Sequence, residues 1–236
     1  WREILGSLNP NFNYIGIDVV GHGKSDSPVN IDKYSPRALS KQIGDLLNYL
    51  SIEQIIIVGY SMGGRAALNF AINHPNKIRG LILEGTTAGI ESEKIRNERI
   101  NSDDELADYI ESHSIEDFVE LWMSKKIFNT QRRFSNEKLK NIRKKKTLNS
   151  KIGLANSLRG FGTGRMDYLD NKLNQINCPV LLITGELDTK FTKINSVLKK
   201  KFPNAKHKII KNAGHNTHLE EPERFVTVIN DFLLNM

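Results

Sequence analysis

Hydrophobic residues along this chain fall into short runs that alternate with stretches of helical spacing. The runs are rich in β-branched and aliphatic side chains, which predicts buried strands, and apolar residues three and four apart predict amphipathic helices. Strands that alternate with helices indicate an α/β fold with a mostly parallel sheet and helices on both faces. The predicted strands are Tyr14–Val19, Gln54–Val58, Ile78–Leu83, Pro179–Thr184 and Lys206–Ile210.

Two predicted helices have clear starting signals. Ser35 followed by Pro36 places a capping hydroxyl before a proline at the first helical position, and Leu39, Ile43 and Leu47 continue the apolar stripe. The last helix is predicted from Pro222 to about Leu234. Its predicted core face consists of Phe225, Val226, Ile229, Phe232 and Leu233.

The alternation stops between residues 90 and 173, where charged helical patterns dominate. An all-helical insertion between two strands of such a sheet is typical of a cap over the edge where ligands bind. The sequence therefore predicts an α/β core from residues 1–89 and 174–236, with a helical cap at 90–173.

Composition and charge limit the possible locations and partners. The 236 residues are 39% hydrophobic and 26% charged, and no apolar run approaches the roughly 18–20 residues of a membrane helix. The single cysteine, Cys178, excludes an internal disulfide, so a cytoplasmic protein is expected. The net charge of +7 comes without a coherent basic stripe, so we expect an anionic small-molecule substrate and neither nucleic acid nor membrane as a partner.

The chain begins with Trp1 inside a helix-like pattern rather than with methionine. We therefore expect residues upstream of Trp1, and with them the N-terminal strands of the fold, to be missing from this sequence.

The strongest chemical motif is Gly59–Tyr60–Ser61–Met62–Gly63, which joins a predicted strand to a predicted helix. This G-x-S-x-G arrangement is the nucleophile elbow, a tight turn that holds a serine hydroxyl clear of the backbone. Glycines are expected at 59 and 63 because a Cβ there would collide with neighbouring backbone.

A serine needs a histidine as base and a carboxylate to orient that histidine. In enzymes that carry this elbow, the order of the three residues along the chain is Ser, then Asp or Glu, then His. Asp188 follows one predicted strand and His215 follows the next, so both can reach the sheet edge that carries Ser61. Glu186 is an alternative orienting group, and His218 is an alternative histidine.

An oxyanion hole needs two backbone N–H donors. One is expected from Met62, directly after the serine, and the other from a His-Gly-rich loop after an early strand. That loop is not found here. The Gly21–His22–Gly23 loop is the wrong one, since we expect it to follow the strand beside the elbow strand.

The chain resembles the MenH family of the α/β-hydrolase superfamily, the 2-succinyl-6-hydroxy-2,4-cyclohexadiene-1-carboxylate synthases of menaquinone biosynthesis. The resemblance covers nearly the whole chain and is weakest in the cap. Its motifs are Gly59–Arg65, Leu83–Ile90, Asn97–Arg99, Leu158–Gly164, Gly185–Phe191 and Gly214–Glu220.

The resemblance implies a lyase that needs no cofactor, with Ser61 as a base that removes a proton while pyruvate leaves. Seven of the twelve arginines lie in the predicted cap, which suits a carboxylate-rich substrate. Arg65, one turn after Ser61, is the foremost candidate for a substrate contact. The resemblance adds Tyr60 and the set Arg99, Arg143 and Trp122, although Trp122 could equally pack in the cap core.

Two other functions stay open on the sequence. A carboxylic-ester or carbon–carbon bond hydrolase would use the same triad for acyl transfer, because fold does not determine function. An inactive fragment or binding-only protein is the third hypothesis, since a second oxyanion donor is not found.

Overall fold

The computed structural model describes all residues from 1 to 236. Its centre is a sheet of four parallel strands that lie side by side in chain order. The strands are β1 (Ile55–Tyr60), β2 (Ile78–Glu84), β3 (Val180–Gly185) and β4 (Ala205–Ile210). These four strands confirm the predicted ones to within two residues at each end. The apolar run of β3 is buried throughout, as expected for a central parallel strand.

Ten α-helices accompany the sheet. Side-chain caps mark several starts: Ser92, Ser114, Ser135 and Ser150 each accept a backbone N–H of the helix that follows. The helices are α1 (Arg2–Leu5), α2 (Pro36–Tyr49), α3 (Met62–Asn73), α4 (Glu93–Ser112), α5 (Ile115–Ser124), α6 (Asn136–Thr147), α7 (Lys151–Phe161), α8 (Thr189–Leu198), α9 (Thr217–Glu220) and α10 (Pro222–Leu233). Short 3-10 helices span Ile31–Tyr34, Pro75–Lys77, Lys126–Arg133 and Asp170–Gln175.

The strand predicted at Tyr14–Val19 does not form. Tyr14, Ile15 and Ile17 are exposed, and the segment pairs with no strand of the sheet. A β-propensity run becomes a strand only when a neighbour completes its hydrogen bonds, and this segment has no such neighbour here. The prediction that it lies beside the elbow strand is therefore wrong.

The chain folds as two compact units. The first comprises residues 1–17, 44–88 and 169–236 and contains the sheet. In its core, buried side chains of the strands pack against α10, and all five predicted core residues of that helix are buried. This confirms the α10 stripe read from 3.6-residue spacing.

The second unit comprises residues 18–43 and 89–168. Its own core contains Ala107, Ile110, Phe118, Val119 and Ala155. Residues 18–43 were predicted as part of the hydrolase core, whereas here they join the helical region. One reason is that the side chain of Asn156 donates hydrogen bonds to the carbonyls of Pro28 and Val29. The cap boundaries at 90 and 173 stay a prediction.

No helix in the structure is both long enough and apolar enough to cross a membrane.

Candidate active site

Ser61 sits alone between β1 and α3, with φ +49° and ψ −107°. A non-glycine residue at positive φ is strained by about 1–3 kcal/mol, and such strain persists only where surrounding contacts impose it. Three backbone contacts do so. The N–H of Ser61 donates to the carbonyl of Glu84 at 2.8 Å, and its carbonyl accepts the Arg65 N–H at 3.1 Å and the Thr86 hydroxyl at 3.0 Å.

The glycines of the elbow differ in what they make room for. A Cβ on Gly59 would meet the carbonyl of Gly63, as predicted, and a Cβ on Gly64 would lie 2.7 Å from the Thr86 hydroxyl. A Cβ on Gly63 would meet nothing within 4 Å. The steric prediction for Gly63 is therefore wrong, because position 63 faces open space while Gly64 packs against the residue beyond β2.

The structure brings the three predicted catalytic side chains together. His215 Nε2 lies 3.1 Å from Ser61 Oγ, and His215 Nδ1 lies 2.7 Å from Asp188 Oδ2. The side chains of His215 and Asp188 are only 2% and 9% exposed. This connected pair of hydrogen bonds is the geometry that lets an imidazole accept the serine proton while a carboxylate fixes its tautomer.

Parallel register explains why residues so far apart in sequence meet here. The strands end together: Tyr60 pairs with Glu84, and Gly185 pairs with Ile210. The loops after β1, β3 and β4 therefore start from one edge of the sheet. Asp188 is also the N-cap of α8, where its Oδ1 accepts the Phe191 N–H at 3.2 Å, which fixes the other carboxylate oxygen toward His215.

The two competing side chains are engaged elsewhere. Glu186 accepts the backbone N–H of Asn212 at 3.0 Å and is exposed, so Asp188 is the carboxylate that contacts the histidine. His218 Nδ1 lies 2.6 Å from Glu84 Oε2, while His215 is the histidine in contact with Ser61.

Tyr60 and Arg65 flank the serine within the same unit. Burial, with help from the nearby carboxylates of Glu84, Glu220 and Asp188, raises the pKa of Tyr60 well above its usual range. Its hydroxyl is therefore protonated at neutral pH and able to donate. Arg65 lies on the first turn of α3 and is 8% exposed.

Met62 is the first residue of α3, directly after Ser61. The first N–H groups of a helix have no intrahelical acceptor, and the positive end of the helix dipole favours developing negative charge. This position suits an oxyanion donor, and the role of Met62 as that donor stays a prediction. In the Gly21–Gly23 loop the Gly21 N–H donates to the Asp26 carbonyl, His22 Nδ1 contacts the Val20 carbonyl at 3.2 Å, and the Gly23 N–H donates to Asn149 Oδ1 at 3.0 Å.

The cap residues that the resemblance adds, Arg99, Arg143 and Trp122, all lie in the second unit, and each contacts side chains of that unit. Arg99 Nε donates to Asp103 Oδ2 at 2.8 Å, and Arg143 Nε donates to Glu120 Oε1 at 2.6 Å. The ring of Trp122 packs beside Phe118 and Phe128 with centroids 5.8 Å away in each case. Their role in substrate binding stays a prediction.

Sequence reasoning missed the part played by Glu84. Its side chain is fully buried and contacts both Thr217 and His218. The sequence does contain a signal for this role, because Glu84 is a charged residue at the end of a largely apolar strand. A carboxylate buried at such a position needs hydrogen-bond or charged partners. Nowhere does the structure gather three or more His, Cys, Asp or Glu side chains in a group that could hold a metal ion.

A parallel sheet with a strained serine between strand and helix, and an Asp–His pair at the same edge, defines the α/β-hydrolase class of enzymes. The family model for the alpha/beta hydrolase fold matches residues 1–222, and the chain belongs to this family.

Within the family the chain is similar to MenH. It is 38% identical over 232 residues to a Bacillus subtilis protein provisionally named 2-succinyl-6-hydroxy-2,4-cyclohexadiene-1-carboxylate synthase, covering 98% of this chain and 85% of that one. An Enterobacter synthase of the same name is 29% identical, with coverages of 94% and 81%. The structure of MenH from S. aureus superposes with a TM-score of 0.89 at 35% identity, covering 93% and 82%.

The same fold occurs in enzymes of other chemistry. A thermophilic esterase from Thermogutta terrifontis superposes with a TM-score of 0.79 over 92% of this chain and 78% of its own, at 23% identity. At 23% identity this match shows a shared fold and nothing about function.

Proposed function

We propose that this protein is a carbon–oxygen lyase of menaquinone biosynthesis. Its reaction eliminates pyruvate from 2-succinyl-5-enolpyruvyl-6-hydroxy-3-cyclohexene-1-carboxylate and leaves 2-succinyl-6-hydroxy-2,4-cyclohexadiene-1-carboxylate. The observation that carries the proposal is the 3.1 Å contact between Ser61 Oγ and His215 Nε2, in a chain 38% identical to a relative named for this product.

In this mechanism Ser61 acts as a base and not as an acylated nucleophile. His215 takes the hydroxyl proton, and the serine oxygen removes a proton from the substrate ring. The electrons of the C2–H bond form the C2=C3 double bond, and the ring double bond of the substrate moves from C3=C4 to C4=C5. The bond between C5 and the enolpyruvyl oxygen breaks, and its electrons stay on that oxygen. The leaving enolate takes the proton held by His215, departs as enolpyruvate and tautomerises to pyruvate, so serine and histidine return to their starting states. Asp188 holds Nδ1–H of His215 and stabilises the imidazolium.

The surroundings of Ser61 support negative charge at two places. The serine lies at the N-terminus of the twelve-residue α3, whose dipole favours an oxyanion. The Met62 N–H and the protonated Tyr60 hydroxyl are the proposed donors to a substrate oxygen. Arg65, Arg99 and Arg143 are proposed to bind substrate carboxylates, with Trp122 against the substrate ring.

Pyruvate release from the authentic substrate, coupled to lactate dehydrogenase, tests the proposal. The wild-type chain should release pyruvate, and Ser61→Ala should lower kcat by at least about 10³-fold with its fold intact by circular dichroism. Unchanged release in Ser61→Ala would overturn the role of the serine.

A hydrolase that forms an acyl-enzyme is the second candidate, because the same Ser–His contact serves acyl transfer. The two functions separate with p-nitrophenyl acetate. A rapid burst equal to the enzyme concentration, without pyruvate release from the lyase substrate, would favour the hydrolase.

A further inference from the structure

A second histidine–carboxylate pair lies beside the first. Glu84 Oε2 accepts His218 Nδ1 at 2.6 Å, and Glu84 Oε1 accepts the Thr217 hydroxyl at 2.6 Å and the His218 backbone N–H at 3.1 Å. The Glu84 side chain is 0% exposed. Its carboxylate thus receives three hydrogen bonds, all from the first two residues of α9.

Those two residues follow His215 by only two and three positions. On the other side of the same turn, Glu220 Oε2 accepts the Gly214 N–H at 2.8 Å and Oε1 accepts the Asn216 N–H at 3.4 Å. The turn that carries His215 is therefore held by carboxylates both before and after the histidine. Of the two, only Glu84 comes from the sheet.

The end of β2 also contacts the reacting pair itself. The Glu84 carbonyl accepts the Ser61 N–H, and the next residue, Gly85, lies under the His215 ring. Gly85 has φ +54°, and a Cβ there would lie 2.9 Å from His215 Cε1. Glu84 and Gly85 therefore contact the serine through one backbone carbonyl, contact the His215 ring through Gly85, and hold the two residues at the start of α9 through the Glu84 side chain.

Aromatic rings enclose the His218 imidazole. Trp1 stacks on it at 4.2 Å with planes 9° apart, and Tyr60 meets it edge-on at 5.3 Å. Burial alone would raise the pKa of the Glu84 carboxyl, but the His218 charge and the three hydrogen bonds outweigh it and lower that pKa. The carboxylate is thus the form in which Glu84 holds α9.

We propose that Glu84 is a positioning residue that sets the distance between Ser61 Oγ and His215 Nε2. It does so by tying the start of α9 to the same strand end that holds the serine backbone. The inference rests on the proposed function only in that Ser61 and His215 are the reacting pair; it does not depend on the substrate.

A fluorophosphonate probe tests it without the lyase substrate. Ser61 Oγ attacks phosphorus, the P–F bond breaks, fluoride leaves, and His215 takes the serine proton. A displacement near 1 Å between reacting groups costs about 10²-fold, so Glu84→Ala should label Ser61 about 100-fold more slowly. Glu84→Gln keeps an acceptor for Thr217 but turns an N–H toward His218 Nδ1, so a smaller loss of about 10-fold is expected.

Proton NMR of His215 gives a second readout. The hydrogen-bonded Nδ1–H of His215 should resonate far downfield in the wild type and shift or disappear in Glu84→Ala. If Glu84→Ala does not fold, Thr217→Val takes its place, because it removes only one of the three hydrogen bonds to Glu84. Its labelling rate and its His215 signal should change in the same direction as expected for Glu84→Ala, but less. A purely structural role would not move this signal in a folded variant.

Ile229→Ala is the control for general destabilisation, because Ile229 is 2% exposed in the core face of α10. It should lower Tm while labelling and the His215 signal stay as in the wild type. Wild-type labelling and an unchanged signal in folded Glu84→Ala would overturn the inference, as would an equal rate loss in Ile229→Ala. An unreactive wild-type serine would instead count against the proposed function, and the NMR signal alone would then decide the role of Glu84.

Discussion

The backbone N–H of Ser61 donates a 2.8 Å hydrogen bond to the carbonyl of Glu84, one step beyond the register pair formed by Tyr60 and Glu84. The β1–β2 ladder therefore continues into the elbow and holds the serine at a positive φ of 49°. The strained turn is thus an extension of the sheet, which connects the stability of the sheet edge to the position of the reactive oxygen.

The identity of the orienting carboxylate leads to a first prediction. Asp188→Asn keeps the size of the side chain, but its amide no longer holds Nδ1–H of His215 in the required tautomer. We expect kcat for pyruvate release to fall about 10⁴-fold, the effect of this substitution in a serine protease triad. Glu186→Gln is the matched control and should retain wild-type kcat, because Glu186 contacts Asn212. If Glu186→Gln lost more kcat than Asp188→Asn, Glu186 would be the group that orients the histidine.

The two glycines after the serine give a second prediction. Gly64→Ala would place a Cβ 2.7 Å from the Thr86 hydroxyl, so we expect it to lower the free energy of unfolding by about 1–3 kcal/mol. A Cβ at position 63 would meet open space, and Gly63→Ala replaces a poor helix former with a good one. We therefore expect the free energy of unfolding to stay the same or to rise by up to about 1 kcal/mol. Urea unfolding of both variants measures the difference, and equal losses would contradict it.

Much of the fold and the triad was predictable because their signals are local. An apolar run followed by G-x-S-x-G, and two further runs followed by Asp188 and His215, each carry their own evidence for a strand end. Parallel register then brings the ends of neighbouring strands to one edge. The capping residues and the apolar faces of the helices are likewise predictable, because each depends on residues only a few positions apart.

The failures concern partners that lie far away along the chain. Tyr14–Val19 has the composition of a strand, but whether it pairs depends on residues elsewhere. Which elbow glycine is crowded depends on Thr86, more than twenty residues later. The sequence offers His218 only as an alternative catalytic histidine, because its carboxylate partner, Glu84, lies 134 positions away along the chain. Spacing along the sequence contains no information on such contacts.

The pH dependence of stability gives a third prediction, from the lowered pKa of Glu84. Its carboxylate faces His218 and Thr217, with Tyr60 nearby. Because the folded pKa lies below the ordinary value of 4.5, the stability it adds is fully present above about pH 4.5. That stability is lost as the pH falls through the folded pKa.

Glu84→Gln should therefore unfold more easily than the wild type at pH 7, by on the order of 3 kcal/mol, and this gap should close in acid. Urea unfolding between pH 7 and pH 3 measures the gap. Glu223→Gln, at an exposed position of α10, should show a small gap that stays constant. A gap for Glu84→Gln that widened in acid would contradict the sign of the shift.

Arg65 separates the lyase from a plain esterase and carries the last prediction. Its side chain is 8% exposed on the first turn of α3, so Arg65→Lys is preferred to alanine because it keeps the buried charge. Lysine loses the bidentate fork that binds carboxylates, so we expect KM for the lyase substrate to rise about tenfold, which is roughly 1.4 kcal/mol. The kcat should change less than KM, because the serine and histidine are untouched.

Turnover of p-nitrophenyl acetate provides the contrast, since that ester has no carboxylate to bind. Its KM should be the same in Arg65→Lys and the wild type. Arg37→Lys, at an exposed position of α2, is the matched control and should leave both substrates unaffected. A normal KM for the lyase substrate in folded Arg65→Lys would remove Arg65 from the binding site, whereas equal KM increases for both substrates would mean that the substitution distorts the elbow itself.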